Sequence, residues 1–342
     1  MQEWAVVMTA REPGALVEAN VRWHLAGGAA EVHVYLDRPD DPVAPGLARI
    51  PGCRVTVCDA AHWRALRPRR GAPASQMRRQ SLNAAHAQGR CAADWLVHLD
   101  ADEFLWQDRP LASELPAVSE LGAELRFAVM ERALMAGQAQ AGLFDGVFRR
   151  ASPGGKGMDA VIYGALAPHL REGMFSHGSG KCAVPVGQGF RQMVHESYLE
   201  AGGKRRRAPA WRSTTTRLLH FDGVTPLHWL LKLIRYRGQP PEVQAHILPP
   251  HRMAQIAWML DRMGSLEEAL EAEAGLHRLT QPQADRLRGF GLLEEALSFD
   301  PGRLPGMPDL SVAAFDRSLL AQDPDLWEMT GWGRRESGFE AA

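Results

Sequence analysis

The sequence lacks long hydrophobic runs and paired cysteines. No apolar stretch approaches the ~20 residues needed to span a bilayer, and the opening Met-Gln-Glu-Trp has no basic region of the kind that begins a secretory signal. The cysteines at positions 53, 58, 91 and 182 form no C-x-x-C pair and have no histidine partner at zinc spacing. We therefore expect a cytoplasmic protein with free thiols and no membrane-spanning segment.

An excess of charge of either sign is also missing. The net charge of −1 and the isoelectric point near 6.9 argue against a nucleic-acid partner. Apolar residues make up 45% of the chain and charged residues 23%, as in ordinary globular proteins. The length of 342 residues suits one large domain, or a domain with an appendage.

Short apolar runs alternate with helical patterns through the first hundred residues. Strands are predicted at 5–9, 31–36, 54–58 and 95–100, and helices at 15–26 and 75–87. This alternation is typical of a doubly wound α/β fold with a parallel sheet.

The rest of the chain is less regular and then becomes helical. Strands are predicted at 124–133, 142–150 and 214–221, with loops and hairpins over 173–189. Helices are predicted at 226–237, 251–276 and 282–297, interrupted by Pro240-Pro241 and Pro249-Pro250. The composition changes near residue 223, which predicts an α/β domain at 1–223 and a mostly helical region at 224–342.

The most informative segment is the strand that ends in three carboxylates, Asp100, Asp102 and Glu103. Because strand side chains alternate between faces, Asp100 and Asp102 are expected to project the same way, about 7 Å apart. Two carboxylates at the carboxyl end of a strand can hold a divalent cation against a phosphate-bearing substrate. The alternative interpretation is a solvated acidic turn.

Several spaced motifs resemble those of family 2-type GT-A glycosyltransferases, in the subgroup with the signature L-D-x-D-E-F. Over residues 4–106 they are Thr9-Ala10-Arg11-Glu12, the Asp37 loop, Gln80-x-x-Asn83 and His98-Leu-Asp-Ala-Asp-Glu-Phe104. Further matching motifs later in the chain are Gly180-Lys181, His195 and Leu218-Leu-His-Phe221, and the last of these is followed by a helix with Lys232. Relatives usually have His-Tyr where this chain has His220-Phe221. The resemblance implies a GT-A (Rossmann-like), mostly parallel sheet flanked by helices, with a C-terminal helical extension.

The resemblance also implies a metal site. Asp102 is expected to coordinate the cation, Asp100 to contact the metal or the ribose, and His220 to complete the ligand set. A bridging cation would offset the charge on a departing nucleoside diphosphate. Because imidazole suits Mn²⁺ better than Mg²⁺, Mn²⁺ is favoured and Mg²⁺ is the alternative. His220 could instead be a core histidine at a strand end.

The nucleotide contacts implied by the resemblance each have a structural alternative. Asp37 could belong to a turn, Glu12 could be an acid at a helix N-terminus, and Lys181 could be a solvated loop lysine. The polar face of the helix at 75–87 could be merely exposed. The expected cofactor-binding set is Thr9, Arg11, Glu12, Asp37, Arg79, Gln80, Asn83, Asp100 and Lys181.

An inverting transferase also needs a base for the acceptor hydroxyl. Asp145, in a glycine-flanked turn, is the first candidate, with Glu131 and Glu196 as alternatives. Glu103 is expected to orient the metal loop or to contact the acceptor, and it completes the catalytic set.

The sequence thus predicts a metal-dependent glycosyltransferase of hexosyltransferase type in bacterial glycan or polysaccharide assembly. Its expected partners are a UDP- or GDP-sugar and a glycan or lipid-linked hydroxyl acceptor. Basic runs at 64–79 and 204–207 suggest peripheral contact with the inner membrane. The alternatives are a nucleotidyltransferase or nucleotide-sugar hydrolase with the same metal–diphosphate site, and a non-catalytic glycan-binding or scaffold protein.

Overall fold

The chain is described by a computed structural model over residues 2–239, 244, 248–330 and 332. The described residues form two compact units, each assembled from separate stretches of chain. The first unit takes residues from 2–129, 179–220 and 300–308, and the second takes those from 130–178, 221–299 and 309–332. The division of the chain into domains at residue 223 stays a prediction.

The elements follow one another along both units. The strands are β1 (Trp4–Ala10), β2 (Glu31–Leu36), β3 (Cys53–Val57), β4 (Trp95–His98), β5 (Glu103–Gln107), β6 (Glu124–Met135), β7 (Val147–Arg150), β8 (Lys181–Pro185), β9 (Phe190–Gln192), β10 (Ser197–Ala201), β11 (Lys204–Arg207), β12 (Ala210–His220), β13 (Arg278–Leu279) and β14 (Leu293–Glu294). The α-helices are α1 (Gly14–Ala26), α2 (Ala44–Leu47), α3 (Ala60–Leu66), α4 (Gln76–Gln88), α5 (Leu115–Glu120), α6 (Gly155–Tyr163), α7 (Pro226–Arg237), α8 (Pro250–Leu260), α9 (Leu266–His277), α10 (Gln281–Gly289), α11 (Val312–Gln322) and α12 (Pro324–Thr330). Short 3-10 helices cover Leu111–Ser113, Gly164–His169 and Pro301–Arg303.

The first unit is built on a mixed sheet with the strand order β3-β2-β1-β4-β8-β6. The four strands from β3 to β4 are parallel, and β8 pairs antiparallel with both β4 and β6. Every residue of β1 is buried, as expected for a central strand covered on both faces. The α/β class, with a parallel sheet in the N-terminal part flanked by helices, is confirmed.

Helices cover the parallel strands because their apolar positions face the sheet. Ala84 and Ala87 of α4 share a buried cluster with Val7, Tyr35 and Leu96 from the strands. The small alanine side chains let α4 approach the sheet closely, so the polar residues at its N-terminal end come near the strand ends.

Further strand pairings of the first unit were only partly predicted from the sequence. β5 pairs antiparallel with β12, and His220 stands opposite Glu103 in the register. The range 173–189, expected to be loops and hairpins, contains the buried strand β8. β9, β10 and β11 form a separate three-stranded antiparallel sheet, in which the basic run 204–207 is the exposed strand β11.

The second unit combines strands with most of the helices after residue 221. Met130–Ala133 of β6 pair with β7, and β7 pairs with β14. The predicted helix at 226–237 is confirmed as α7. None of the helices in the described residues has the length and apolar character required to traverse a lipid bilayer.

Two helix predictions in this unit were wrong in extent. The predicted helix at 251–276 is two helices, because Ser265 caps α9 by accepting the N–H of Glu268 at 3.1 Å. The predicted helix at 282–297 stops after Gly289, since Gly291 takes a positive φ of 67° and the chain then enters β14. The Pro240-Pro241 break lies outside the described residues.

Candidate active site

The predicted nucleotide-contact residues of the first unit collect where its parallel strands end. We call this place the carboxyl edge: the edge of the sheet at which β1, β2, β3 and β4 finish. Thr9 lies at the end of β1, Asp37 follows β2, and Asp100 follows β4. The first turns of α4 supply Arg79, Gln80 and Asn83. In α/β sheets, the ends of parallel strands are where ligands bind.

Asp37 and Arg79 form a two-pronged ion pair at this edge. Arg79 Nε donates to Asp37 Oδ1 at 2.9 Å, and Arg79 Nη2 donates to Oδ2 at 2.8 Å. The other guanidinium nitrogen, Nη1, donates to the carbonyl oxygens of Pro73 and Ala74. The arginine therefore ties the loop before α4 to the end of β2, and the alternative of a merely exposed α4 face does not hold for it.

Asn83 joins two strand ends and helix α3 through one amide. Its Nδ2 donates to Thr9 Oγ1 at 3.0 Å and to Cys58 Sγ at 3.5 Å, while its Oδ1 lies 2.9 Å from His62 Nε2. Asn83 is completely buried. A buried amide with its hydrogen bonds made is a rigid element, so Asn83 positions the edge whether or not it also touches a ligand.

Lys181 lies between two carboxylates. Its ammonium is 2.8 Å from Asp100 Oδ2 and 3.2 Å from Glu103 Oε2, and its side chain is fully buried on β8. The alternative of a solvated loop lysine is thereby excluded. Gly180, immediately before it, has a φ of 66° and approaches the carbonyl of Phe127 so closely that a Cβ would collide with the oxygen. The antiparallel pairing of β8 with β4 then brings Lys181 beside the residues that follow the end of β4.

The pKa values of Lys181 and of its two carboxylate neighbours are shifted in different directions. Burial alone would raise the pKa of Asp100, but the charge and hydrogen bond of Lys181 outweigh it, so that pKa falls below its usual range. Burial raises the pKa of Glu103 to about 7, and the charge of Asp100 adds to this rise against the opposing effect of Lys181. Burial would lower the pKa of Lys181, yet its two carboxylate neighbours raise it instead. Lys181 therefore stays charged, Asp100 stays ionised and Glu103 titrates near neutral pH.

Hydrogen bonds with buried side chains fix the turn between β4 and β5. Glu103 Oε2 accepts the backbone N–H of Asp100 at 2.8 Å, and Gln80 Nε2 donates to Asp100 Oδ1 at 2.6 Å. Asn20 of α1, fully buried, donates to the carbonyl oxygens of Ala101 and Glu103 at 3.1 and 2.7 Å. Sequence reasoning missed Asn20; the available signal was an asparagine inside the apolar pattern of α1.

Asp102 and His220 face each other beside this turn. Asp102 Oδ2 is 3.8 Å from His220 Nε2, and both side chains are at least nine-tenths buried. The pairing of β5 with β12 brings them together, because His220 stands opposite Glu103, the residue after Asp102. The sequence spacing of 118 residues between them gives no hint of this distance.

A divalent cation would fit this pair by donor chemistry. A carboxylate oxygen and an imidazole nitrogen suit Mn²⁺, and neighbouring ligands of an octahedral ion lie about 3 Å apart, near the observed 3.8 Å. Asp100 does not join them: within the described part of the chain, no three donor atoms of Asp100, Asp102 and His220 converge within 4.8 Å. A metal contact by Asp100 stays a prediction that requires Lys181 to release it.

Two further histidines of the first unit lie close to Lys181. His98 is buried and its Nδ1 lies 3.1 Å from the carbonyl oxygen of Met193, while His195 Nδ1 lies 3.0 Å from that of Gly180. Burial, with the charge of Lys181 second, lowers the pKa of His98 to about 4 and lowers that of His195 as well. From the sequence, His195 was singled out only as part of the family resemblance, and His98 was given no role of its own.

The first loop carries Arg11 and Glu12. The backbone N–H of Arg11 donates to Glu12 Oε2 at 2.8 Å. Glu12 precedes α1, which begins at Gly14. The proposed nucleotide contacts of both residues stay predictions.

The candidates for the catalytic base have different surroundings. Asp145 Oδ2 accepts the backbone N–H groups of Ala141 and Gly142 at 2.9 and 2.8 Å, in the second unit. Glu131, also in the second unit, is 1% exposed and accepts from Arg149 and Ser176, so its carboxylate is already committed to the core. Glu196 in the first unit pairs with Arg207 at 3.1 Å. A role for Asp145 stays a prediction.

Comparison with solved structures shows weak likenesses, including two to the chains of GalNAc-T7 and TarS. No protein-family model and no curated protein matches the chain. Among solved structures, GalNAc-T7 with UDP, GalNAc and Mn²⁺ aligns at 11% identity over 72% of this chain and 53% of that one, with a TM-score of 0.35. TarS 1–349 of S. aureus aligns at 9% identity over 99% and 93%, with a TM-score of 0.29.

Both of these structures are of glycosyltransferases. This chain spans about half the length of the GalNAc-T7 chain that it matches. At these scores neither alignment bears on what this chain binds or does, so its function has to be argued from its own residues.

Proposed function

We propose that this protein is a metal-dependent glycosyltransferase that moves a sugar from a nucleoside diphosphate sugar to a hydroxyl acceptor. The observation that carries the proposal is the buried Asp102–His220 pair beside the carboxyl edge, with side chains 3.8 Å apart. An acid and an imidazole brought together from sequence-distant strands, next to the place where α/β proteins bind ligands, suit a cation–diphosphate site.

The carboxyl edge offers the contacts that a nucleotide requires. The carboxylate of Asp37 can accept further hydrogen bonds in addition to those from Arg79. A carboxylate at the end of the second strand suits a contact with the ribose or the base of a nucleotide. Thr9 and Asn83 stiffen the neighbouring strand end. We assign the nucleotide to this edge and leave the choice between UDP and GDP to experiment.

The buried cluster around Lys181 sets the position of the Asp100–Asp102 turn. Glu103 and Gln80 hold Asp100 from two sides, so the turn that carries Asp102 is rigid. Glu103 is 1% exposed, and in this place it acts as a positioning residue. When bound, a Mn²⁺ or Mg²⁺ ion held by Asp102 and His220 supplies the Lewis acid that offsets charge on the departing diphosphate.

Asp145 is our proposal for the base that takes the proton of the acceptor hydroxyl. Its carboxylate accepts two backbone N–H groups through Oδ2, which fixes the group while Oδ1 can still accept. The proposed setting is assembly of a bacterial polysaccharide at the cytoplasmic side of the inner membrane. The exposed basic strand β11, with Trp211 53% exposed on the following strand, would meet a lipid-linked acceptor.

The first test is a thermal-shift screen of the full chain with UDP- and GDP-sugars, with and without Mn²⁺. We expect the nucleotide and Mn²⁺ together to raise the melting temperature more than either alone, because each ligand stabilises the state that binds the other. No shift with any nucleotide would favour a scaffold protein and would contradict the proposal.

The second test is product analysis with the stabilising donor. Free nucleoside diphosphate and a glycosylated acceptor are expected. Formation of nucleoside triphosphate and sugar 1-phosphate on addition of pyrophosphate would indicate a nucleotidyltransferase, and release of nucleoside diphosphate with free sugar and no glycosylated acceptor would indicate a hydrolase.

Asp102→Asn should abolish transfer with an unchanged circular dichroism spectrum. Asp108→Asn is the matched control, because Asp108 is exposed just beyond the other end of β5. Turnover retained by Asp102→Asn would refute the metal assignment.

A further inference from the structure

A second cluster of metal-ligating side chains lies in the first unit, away from the carboxyl edge. One donor atom each from Glu31, His33 and Cys91 lies within 4.8 Å of the other two. It is the one group of three or more such donors that converges in this way over residues 2–239, 244, 248–330 and 332. The glycosyltransferase proposal makes no use of it.

The fold creates this cluster from the two-residue period of a strand and the end of a helix. Glu31 and His33 are separated by one residue on β2, so they project from the same face of the sheet. Cys91 follows α4 and packs against the apolar cluster on that face, which includes Tyr35. Because Glu31 begins β2 while Asp37 follows its end, about 20 Å of strand separates the cluster from the carboxyl edge.

Two of the three side chains are buried, Cys91 is partly buried, and one ring nitrogen of the group is left without a well-aligned partner among the described residues. Glu31 and His33 are each 6% exposed. His33 Nε2 lies 3.1 Å from Glu31 Oε1, yet it makes no well-aligned hydrogen bond with any described residue. The Cys91 thiol has a sulfur-length contact of 3.8 Å to the carbonyl oxygen of Ala93. A buried ring nitrogen without a proper partner is costly unless something else binds it.

Glu31 is already oriented towards the cluster. Its Oε1 accepts the backbone N–H of Ala92 at 2.8 Å, next to Cys91, and its Oε2 lies 3.3 Å from Arg54 Nε. Partners of this kind hold ligating carboxylates in place in metal sites. Arg54 also offsets part of the negative charge that a carboxylate and a thiolate bring together.

We propose that Glu31, His33 and Cys91 form a binding site for a thiophilic divalent cation, Zn²⁺ in the first instance, separate from the proposed catalytic metal site. A thiolate sulfur, an imidazole nitrogen and a carboxylate oxygen are the donors that Zn²⁺ takes in proteins, and water can fill a fourth position. Binding replaces the thiol proton of Cys91, which leaves to solvent as the sulfur–metal bond forms. The bound ion links the start of β2 to the connection between α4 and β4.

The test uses Co²⁺ as a spectroscopic probe on the purified full chain, kept reduced without added thiols. A 1:1 titration is expected to produce the near-ultraviolet charge-transfer band of a cobalt–thiolate bond, and Zn²⁺ should then displace Co²⁺ and abolish the band. Cys91→Ser should lose the band. His33→Gln should keep a weakened site, with cobalt affinity reduced at least about tenfold.

Two control variants separate this site from other cysteines and from the catalytic site. Cys53→Ser should keep the band, because Cys53 stands beside Val32, whose side chain takes the opposite face from Glu31 and His33. Asp102→Asn should also keep it, since that site holds no thiolate, so failure of the glycosyltransferase proposal would leave this result unchanged. Absence of the band in the folded wild-type protein, or its persistence in Cys91→Ser, would overturn the inference.

Discussion

The ammonium of Lys181 lies 2.8 Å from Oδ2 of Asp100, with the lysine side chain completely buried and the aspartate 29% exposed. The charge that stabilises the first aspartate of the motif therefore comes from the protein itself. Asp102, the second aspartate, lies beside His220 instead. The two aspartates, alike in sequence, thus have different electrostatic environments.

Lys181→Met should destabilise the protein strongly. It would leave Asp100 and Glu103 near each other without their shared cation, and breaking a buried ion pair in this way costs about 3–5 kcal/mol. Chemical denaturation of Lys181→Met and of the control Lys156→Met, at an exposed lysine, measures the difference. Equal stability of the two variants would show that the buried cluster is not ionised as described.

Gly180→Ala should destabilise the protein more than Gly187→Ala. Both glycines have a positive φ, 66° and 75°, so an alanine at either position meets a similar backbone strain of about 1–2 kcal/mol. A Cβ at Gly180 would in addition collide with the carbonyl oxygen of Phe127, whereas a Cβ at Gly187 meets nothing within 4 Å. Unfolding free energies that agree for the two variants would rule out the close passage before Lys181.

The stability of the protein should fall as the pH is lowered from 6.5 towards 4. His24 Nδ1 lies 2.9 Å from the carbonyl oxygen of Asn20, and its Nε2 accepts the N–H of Leu105 at 3.1 Å, which fixes the neutral ring. Burial lowers the pKa of His24 from 6.5 to about 4. As the pH falls, the unfolded chain binds a proton at this histidine before the folded chain does. The stabilisation that the neutral His24 ring gives the folded state is therefore present above pH 6.5 and is lost on acidification, by up to about 3 kcal/mol. His24→Gln should flatten this part of the urea-denaturation profile; an unchanged slope would contradict the assignment.

Glu103 should act in the opposite direction over a neighbouring pH range. Burial raises its pKa from 4.5 to about 7, so the folded protein holds the proton more tightly. This contribution is fully present below pH 4.5 and is lost as the pH rises through 7. Glu103→Gln should therefore be more stable relative to wild type at pH 8 than at pH 5. A difference between the two proteins that does not change with pH would show that Glu103 is already ionised.

Arg79→Lys should weaken the carboxyl edge although the charge is kept. Lysine has no planar fork to replace the paired hydrogen bonds to Asp37, and it cannot reach the carbonyl oxygens of Pro73 and Ala74 at the same time. We expect a loss of about 1–3 kcal/mol in unfolding free energy and, under the proposed function, a raised KM for the nucleotide sugar. Arg78→Lys, at the exposed neighbouring position, is the control, and equal behaviour of the two would count against the role of Asp37.

Local patterns were enough to predict the elements that carry the edge. The four apolar runs that were predicted as strands overlap the observed strands β1, β2, β3 and β4, and α7 was predicted with its observed bounds. The wrong extents came from positions where a cap or a glycine interrupts a periodic pattern. Ser265 begins a new helix inside one predicted helix, and Gly291 ends another early.

By itself, the sequence determined the alternation of strands and helices and the presence of carboxylates after the fourth strand, because these depend on residue periodicity over short distances. Only the tertiary structure decided which groups meet them. Lys181 comes from β8 to neutralise Asp100, His220 comes from β12 to face Asp102, and Cys91 meets His33 without any zinc-like spacing. Strand pairing and helix packing join residues tens of positions apart, and such distances are not encoded in any local pattern.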